Sequence, residues 1–147
     1  MQSMEAVHIQ DVPVEEVWAH LEEDPGSVLI DVRTRAEWTY VGVPLLSSIG
    51  KATVFVEWDD FATGGLVPDF VGRLKAELGR LGVADDAPLH FICRSGSRSR
   101  QAAVMATAAG YSKAFNVASG FEGRLDAERH RATKGSWKGE GLPWVQS

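Results

Sequence analysis

Short apolar runs alternate along this chain with stretches in which apolar residues recur three or four positions apart, and that alternation is the strongest constraint on its fold. The runs are Val28 to Val32, ATVFVEW at 52–58, APLHFIC at 87–93 and KAFNVASG at 113–120, with VHI at 7–9 as a shorter first one. They have the length and the branched or aromatic content of buried strands. Between them, Pro13 with Glu15 and Glu16 opens a helix, since proline and acids both suit a first turn. Val14, Val17 and Leu21 form its apolar face, and Asp24-Pro25-Gly26 ends it. Phe70, Leu74, Leu78 and Leu81 predict a second helix over about 69–81, stopped by Gly82, and a Gly64-Gly65 turn precedes it. The segment SRQAAVMATAA at 99–109 predicts a third, with Ala102, Met105, Ala106 and Ala109 on one face and Gly110 at its end. Strands that alternate with helices in this way predict an α/β fold: a central, mostly parallel sheet of about five strands with helices on both faces. The glycine-rich, charged tail is expected to be irregular, pinned by Leu125, Trp137, Leu142 and Trp144. A length of 147 residues suits one domain spanning 1–147.

Charge separates the classes of partner. The formal net charge is -5, which argues against nucleic acid or an anionic membrane as the main partner. The N-terminal residues do not read as a secretory leader, and no apolar run approaches the ~20 residues that cross a bilayer, so the cytoplasm is the expected compartment. The single cysteine cannot form an internal disulfide, which suits a reducing environment. That cysteine lies in HFICRSGSRSRQ, residues 90–101. Between Asp86 and Glu122 there is no acid, while Arg94, Arg98, Arg100 and Lys113 fall in the same span. A cationic island of this kind draws in a small anion even when the whole molecule is negative.

Cys93 is expected at the C-terminal end of a buried strand, in a loop that turns straight into a helix. Ligands bind at that edge of open α/β sheets, and loop amides and helix N-termini direct partial positive charge there. Such surroundings lower a thiol from about 8.5 to between about 3.5 and 7.5, so a thiolate is expected at neutral pH. The alternative is an inert thiol that closes a core strand. A core position does not call for the polar, glycine-containing, multiply cationic sequence that follows. His8, His20, His90 and His130 have no metal-ligand spacing with one another or with Cys93, so neither a metal nor a cofactor is expected. His90 reads as a packed or hydrogen-bonded core residue rather than a general base.

With these residues in view, CRSGSR at 93–98 resembles the six-residue active-site loop of the rhodaneses, the thiosulfate sulfurtransferases. LIDVRTRAEW at 29–38 resembles that family's DVR motif and the Glu-aromatic element after it. FNVASGFEG at 115–123 is similar to its last strand and following turn, with Ser119 where a glycine is frequent, and SWKGEGLPW at 136–144 resembles the tails of single-domain bacterial members. The resemblance implies sulfur transfer through a Cys93 persulfide, from a small anionic donor such as thiosulfate to a thiol, cyanide or a protein acceptor. It implies that Arg94, Ser95, Gly96, Ser97, Arg98 and Ser99 cradle the persulfide, with Arg94, Arg98 and Arg100 attracting the donor. Asp31 and Arg33 either help build the pocket or form a structural ion pair, with Glu37 a candidate partner for Arg33. Trp58 and Phe61 are candidates for an aromatic rim. One departure is YVGVPLLSSIG at 40–50, where many rhodaneses carry G-H-I-P-G-A; it keeps a proline but lacks the histidine and the Gly-Ala.

Two other readings stay open. A cysteine phosphatase or arsenate reductase on the same fold also binds anions over a cysteine loop. Tyrosine-phosphatase loops, however, place five residues between cysteine and arginine, whereas four separate Cys93 from Arg98, and the next position is Ser99. The other is a rhodanese-like module used only for protein binding or regulation. Such modules usually lose the cysteine that this chain keeps.

Overall fold

The structure is a computed structural model and describes residues 8–58 and 69–146. Five parallel strands form the central sheet: β1 (Asp11–Val12), β2 (Val28–Asp31), β4 (Val54–Phe55), β5 (Leu89–Ile92) and β6 (Ala114–Val117), in the order β1-β6-β5-β2-β4. The expected architecture is therefore found. All five strands are shorter than the apolar runs, and the first is also displaced. The first strand lies at Asp11–Val12 rather than at VHI, of which Val7 is outside the described residues. Only Val54–Phe55 of the 52–58 run is regular strand; Val56 and Trp58 then donate their amides to the carbonyls of Asp31 and Val32 without continuing the ladder. The Gly64-Gly65 turn and Phe61 lie outside the described residues.

The helices cover both faces. Helix α1 (Val14–Glu23) follows Pro13 and buries Val14, Val17 and Leu21, as its sequence requires. These pack with Leu29, Ile92, Val117, Phe121 and Trp137 on one side of the sheet. On the other side, α3 (Phe70–Arg80) and α4 (Ser97–Ala108) pack over Ile30, Val32, Leu89, Phe91 and Cys93. The period of two along a strand explains the split, since alternate residues of β2 and β5 face opposite layers. In α3 the stripe is Phe70, Leu74 and Leu78; Leu81 is its C-cap and 46% exposed, so the helix ends one residue before the stripe would. In α4 the buried face is Ser99, Ala102, Ala103 and Ala106. Met105 points outward, 39% exposed, because the sheet-facing side of α4 is centred one residue away from the expected stripe. The alanines let the helix lie close to β5 and β6.

A further helix, α2 (Arg35–Tyr40), escaped the sequence reading because it is one and a half turns long and buries no residue. Its start is a capping box: Thr34 Oγ1 accepts from the Glu37 amide and Glu37 Oε1 accepts from the Thr34 amide. The tail is more ordered than its composition suggests. Its strand β7 (Trp144–Val145) pairs antiparallel with β3 (Val43–Pro44). Trp137 is fully buried and Leu142 partly so; Trp144, though 40% exposed, holds the tail through β7 and an edge contact with buried Phe121, whereas Leu125 is 49% exposed. Among the described residues, no helix is long and apolar enough to cross a membrane.

Candidate functional site

Strand β5 delivers Cys93 to the edge of the sheet, and α4 begins four residues later. Leu89, Phe91 and Cys93 share one face of the strand, and that face meets α4, so the Sγ lies beneath the first turn of the helix. The thiol side chain is buried, 1% exposed. Gly96 makes the turn possible. Its φ of 116° is left-handed, a conformation that a side chain at this position would strain. Its amide donates to Cys93 Sγ at 3.1 Å, and Ser99 Oγ stands 3.2 Å from the same sulfur. Among the described residues, the amides of Arg94, Ser95, Ser97 and Ser99 donate to no protein acceptor. The turn after β6 holds the loop from behind. The amides of Phe121, Glu122 and Gly123 donate to the carbonyls of Cys93 and Arg94 at 2.8–3.0 Å. With those carbonyls bound outward, the following amides remain available to the inside of the loop, where an anion gains from them.

Gly120 permits this grip. A Cβ there would stand 2.6 Å from the Cys93 and Arg94 carbonyl oxygens, and its φ is 61°. Ser119, where the resemblance to rhodaneses implies a glycine, is also left-handed at φ 64°.

The arginines behave differently from the sequence expectation. Arg94 Nε donates to Glu122 at 3.0 Å, and Arg98 makes two bonds of 2.7 and 2.9 Å to Glu37. Arg100 is paired with Asp11 and donates to the Ile9 carbonyl. The island that looked unopposed in sequence is thus matched by carboxylates from three other elements, and the backbone donor shown at the sulfur is the Gly96 amide. Burial pushes the Glu37 carboxyl up, but Arg98 and the Thr34 amide outweigh it and hold the group below its ordinary range. Asp11 is held low in the same way by Asn116 and Arg100 against a smaller burial penalty than their sum. Beside the loop, an open groove of about 690 Å³ is lined by Ser95, Ser97, Arg100, Arg124 and Lys134 among others. Arg124 and Lys134 carried no motif that would have marked them.

Asp31 and Arg33 form a fully buried ion pair, with Arg33 Nη2 2.7 Å from Asp31 Oδ2. The partner is Asp31 and not Glu37, because Glu37 caps α2 and faces Arg98. Arg33 also donates to the Gly42 carbonyl and stacks over the Phe121 ring at 4.3 Å, which ties β2 to the turn that grips the cysteine loop. Trp58 is not a rim residue: it is 6% exposed and packs edge-on against Phe70. His90 is packed, as expected, between His20 and Phe115, but among the described residues neither ring nitrogen has a hydrogen-bond partner. Among the described residues, no cluster of three or more His, Cys, Asp or Glu is placed to hold a metal.

Sheet order and loop together define an α/β domain that seats a lone cysteine between a buried parallel strand and a helix N-terminus. The Rhodanese-like domain family matches residues 13–126, and the chain belongs to that family. It is 34% identical over 139 residues to the protein RC0915 of Rickettsia conorii, covering 92% of this chain and 97% of that one. The crystal structure of Rv0390 from M. tuberculosis superposes with a TM-score of 0.85 at 43% identity, covering 96% of this chain and all of that one. The fold is also shared by a homodimeric polysulfide-sulfur transferase from Wolinella succinogenes, at a TM-score of 0.59, 19% identity and coverage of 95% and 80%.

Proposed function

We propose that this protein is a sulfurtransferase that carries sulfane sulfur as a persulfide on Cys93. The observation that supports the reading best is the loop itself: one buried sulfur, an amide already donating to it at 3.1 Å, and four more loop amides without a protein acceptor among the described residues. Membership of the rhodanese-like family supports the same chemistry. In the first step the Cys93 thiolate attacks the outer sulfur of thiosulfate. The new S–S bond forms as the old one breaks, and sulfite leaves with the electron pair. In the second, an acceptor thiolate attacks the outer persulfide sulfur, takes it away as a new persulfide and returns the Cys93 thiolate. This is nucleophilic catalysis that divides one transfer into two displacements. The loop amides stabilise the negative sulfur in both states, as oxyanion-hole donors stabilise oxygen. Arg124 and Lys134 beside the loop favour the approach of an anionic donor.

A single-turnover mass measurement tests this. After thiosulfate and removal of excess donor, the wild type gains one sulfur atom and Cys93→Ser gains none. The sulfur is then lost on adding a thiol or cyanide. Absence of the gain, or release of phosphate from an aryl phosphate at a useful rate in its place, overturns the proposal.

A further inference from the structure

A chain of side-chain hydrogen bonds leads from Cys93 to the surface, and its proton bookkeeping fixes which way each group points. Cys93 Sγ is 3.2 Å from Ser99 Oγ, which is 2.5 Å from Asn116 Oδ1; Asn116 Nδ2 donates to Asp11 Oδ1 at 2.8 Å, and Arg100 donates to the same oxygen. In-register pairing of β1 with β6 sets Asp11 opposite Asn116. Asp11 is a carboxylate and can only accept, so the Asn116 amide must turn its NH2 to Asp11 and its carbonyl oxygen to Ser99. Ser99 has one hydroxyl proton. Three acceptors lie around it: Asn116 Oδ1 at 2.5 Å, the Gly96 carbonyl at 3.2 Å and the sulfur at 3.2 Å. The shortest of these takes the proton.

We infer that Asp11 is a positioning residue for the cysteine: by locking the Asn116 amide it withholds the Ser99 proton from Cys93, so that Ser99 receives a hydrogen bond from the thiol and must break its own bond to Asn116 before it can serve the thiolate. The inference deepens the sulfurtransferase proposal and rests on it for its catalytic meaning. The Gly96 amide donates to the sulfur in either state, so it does not distinguish them. Ser99 does, because a hydroxyl can reverse its role and an amide N–H cannot.

Removing the carboxylate unlocks the chain. In Asp11→Ala, Arg100 is left facing Asn116 and attracts its carbonyl oxygen. The amide then turns, its NH2 donates to Ser99, and the Ser99 proton is released to the sulfur. One gained hydrogen bond to a charged group is worth about 1.5 kcal/mol, which is about tenfold in thiolate at a fixed pH below the midpoint. The other charged groups around the loop are the ion pairs Asp31–Arg33 at the end of β2, Glu37–Arg98 between α2 and α4, and Arg94–Glu122, with Arg124 and Lys134 lining the groove that Asp11 and Arg100 share; the substitution alters none of them. His8 acts on Asp11 itself.

The test is the pH profile of alkylation by iodoacetamide, in which every event reports on Cys93 because it is the only cysteine. Asp11→Ala is expected to lower the midpoint by about one unit, whereas Asp11→Asn, which removes the same charge but keeps an oxygen to accept from Asn116, leaves it in place. No shift in Asp11→Ala, or an equal shift in Asp11→Asn, overturns the inference. The Asp11 side chain is 49% exposed, so the variant keeps its core. Ser99→Ala gives an independent sign: the midpoint falls if the hydroxyl accepts from the thiol and rises if it already donates. If Ser99→Ala does not fold, Asp11→Ala decides alone. Alkylation needs no sulfur donor, so a failure here is separate from a failure to load sulfur.

Discussion

Replacing His90 with leucine removes a buried base that cannot be protonated without loss of stability, and the size of the effect follows from its surroundings. The ring is fully buried, stacked 5.1 Å from Phe115 and tilted against His20 at 5.4 Å, with no hydrogen bond to either nitrogen among the described residues. Burial, assisted by the charges of His20 and Lys51 and opposed by Asp24, lowers it from 6.5 to about 4. A folded value below the unfolded one means that the unfolded chain takes up the proton first as pH falls. Stability is therefore full above about pH 7 and is lost between pH 6.5 and 4. At pH 4.5 this costs about 2 to 3 kcal/mol relative to pH 7. Leucine has similar volume, leaves no unpaired nitrogen and does not titrate. Urea unfolding at both pH values is the assay. The variant is expected to match or exceed the wild type at pH 7 and to lose about 2 kcal/mol less on going to pH 4.5. Parallel losses in the two proteins, within about 0.5 kcal/mol, would refute the reasoning, since other acids titrate in both.

Asp31→Ala leaves the Arg33 charge buried without its partner and is expected to cost about 3 to 5 kcal/mol in urea unfolding; a loss below about 1 kcal/mol contradicts the buried pair. Gly120→Ala drives a Cβ into the Cys93 and Arg94 carbonyls. It is expected to cost about 2 to 4 kcal/mol and to abolish sulfur loading of the protein that remains folded, because the loop amides lose their alignment. A variant with wild-type melting and loading shows that this turn does not hold the loop.

Repeated apolar runs and the helical spacing of Val14, Val17 and Leu21 or Phe70, Leu74 and Leu78 made the parallel α/β architecture legible without coordinates. Those patterns are local, and burial follows directly from them. So did the place of Cys93, since a cysteine that ends an apolar run and precedes a polar helix start has only one kind of seat in such a sheet. The short elements were not legible. Strands β3 and β7 are two residues each and owe their existence to one another, 100 residues apart in the chain. Helix α2 has no buried face to betray it.

At the site, the sequence by itself determined the nucleophile candidate, the glycine turn and the run of amides that follows it, because all are consecutive. Only the tertiary structure decided where the charge goes. Arg94, Arg98 and Arg100 formed a cationic island in one dimension, yet Glu122, Glu37 and Asp11 arrive from 28, 61 and 89 positions away to meet them. Asn116 and Gly120 likewise carry no chemical signature until folding sets one beside Ser99 and the other against the Cys93 carbonyl. The physical reason is range: periodicity and turn chemistry act over a few residues, whereas an ion pair or a hydrogen bond is satisfied by whichever group the fold brings near, however distant in the chain.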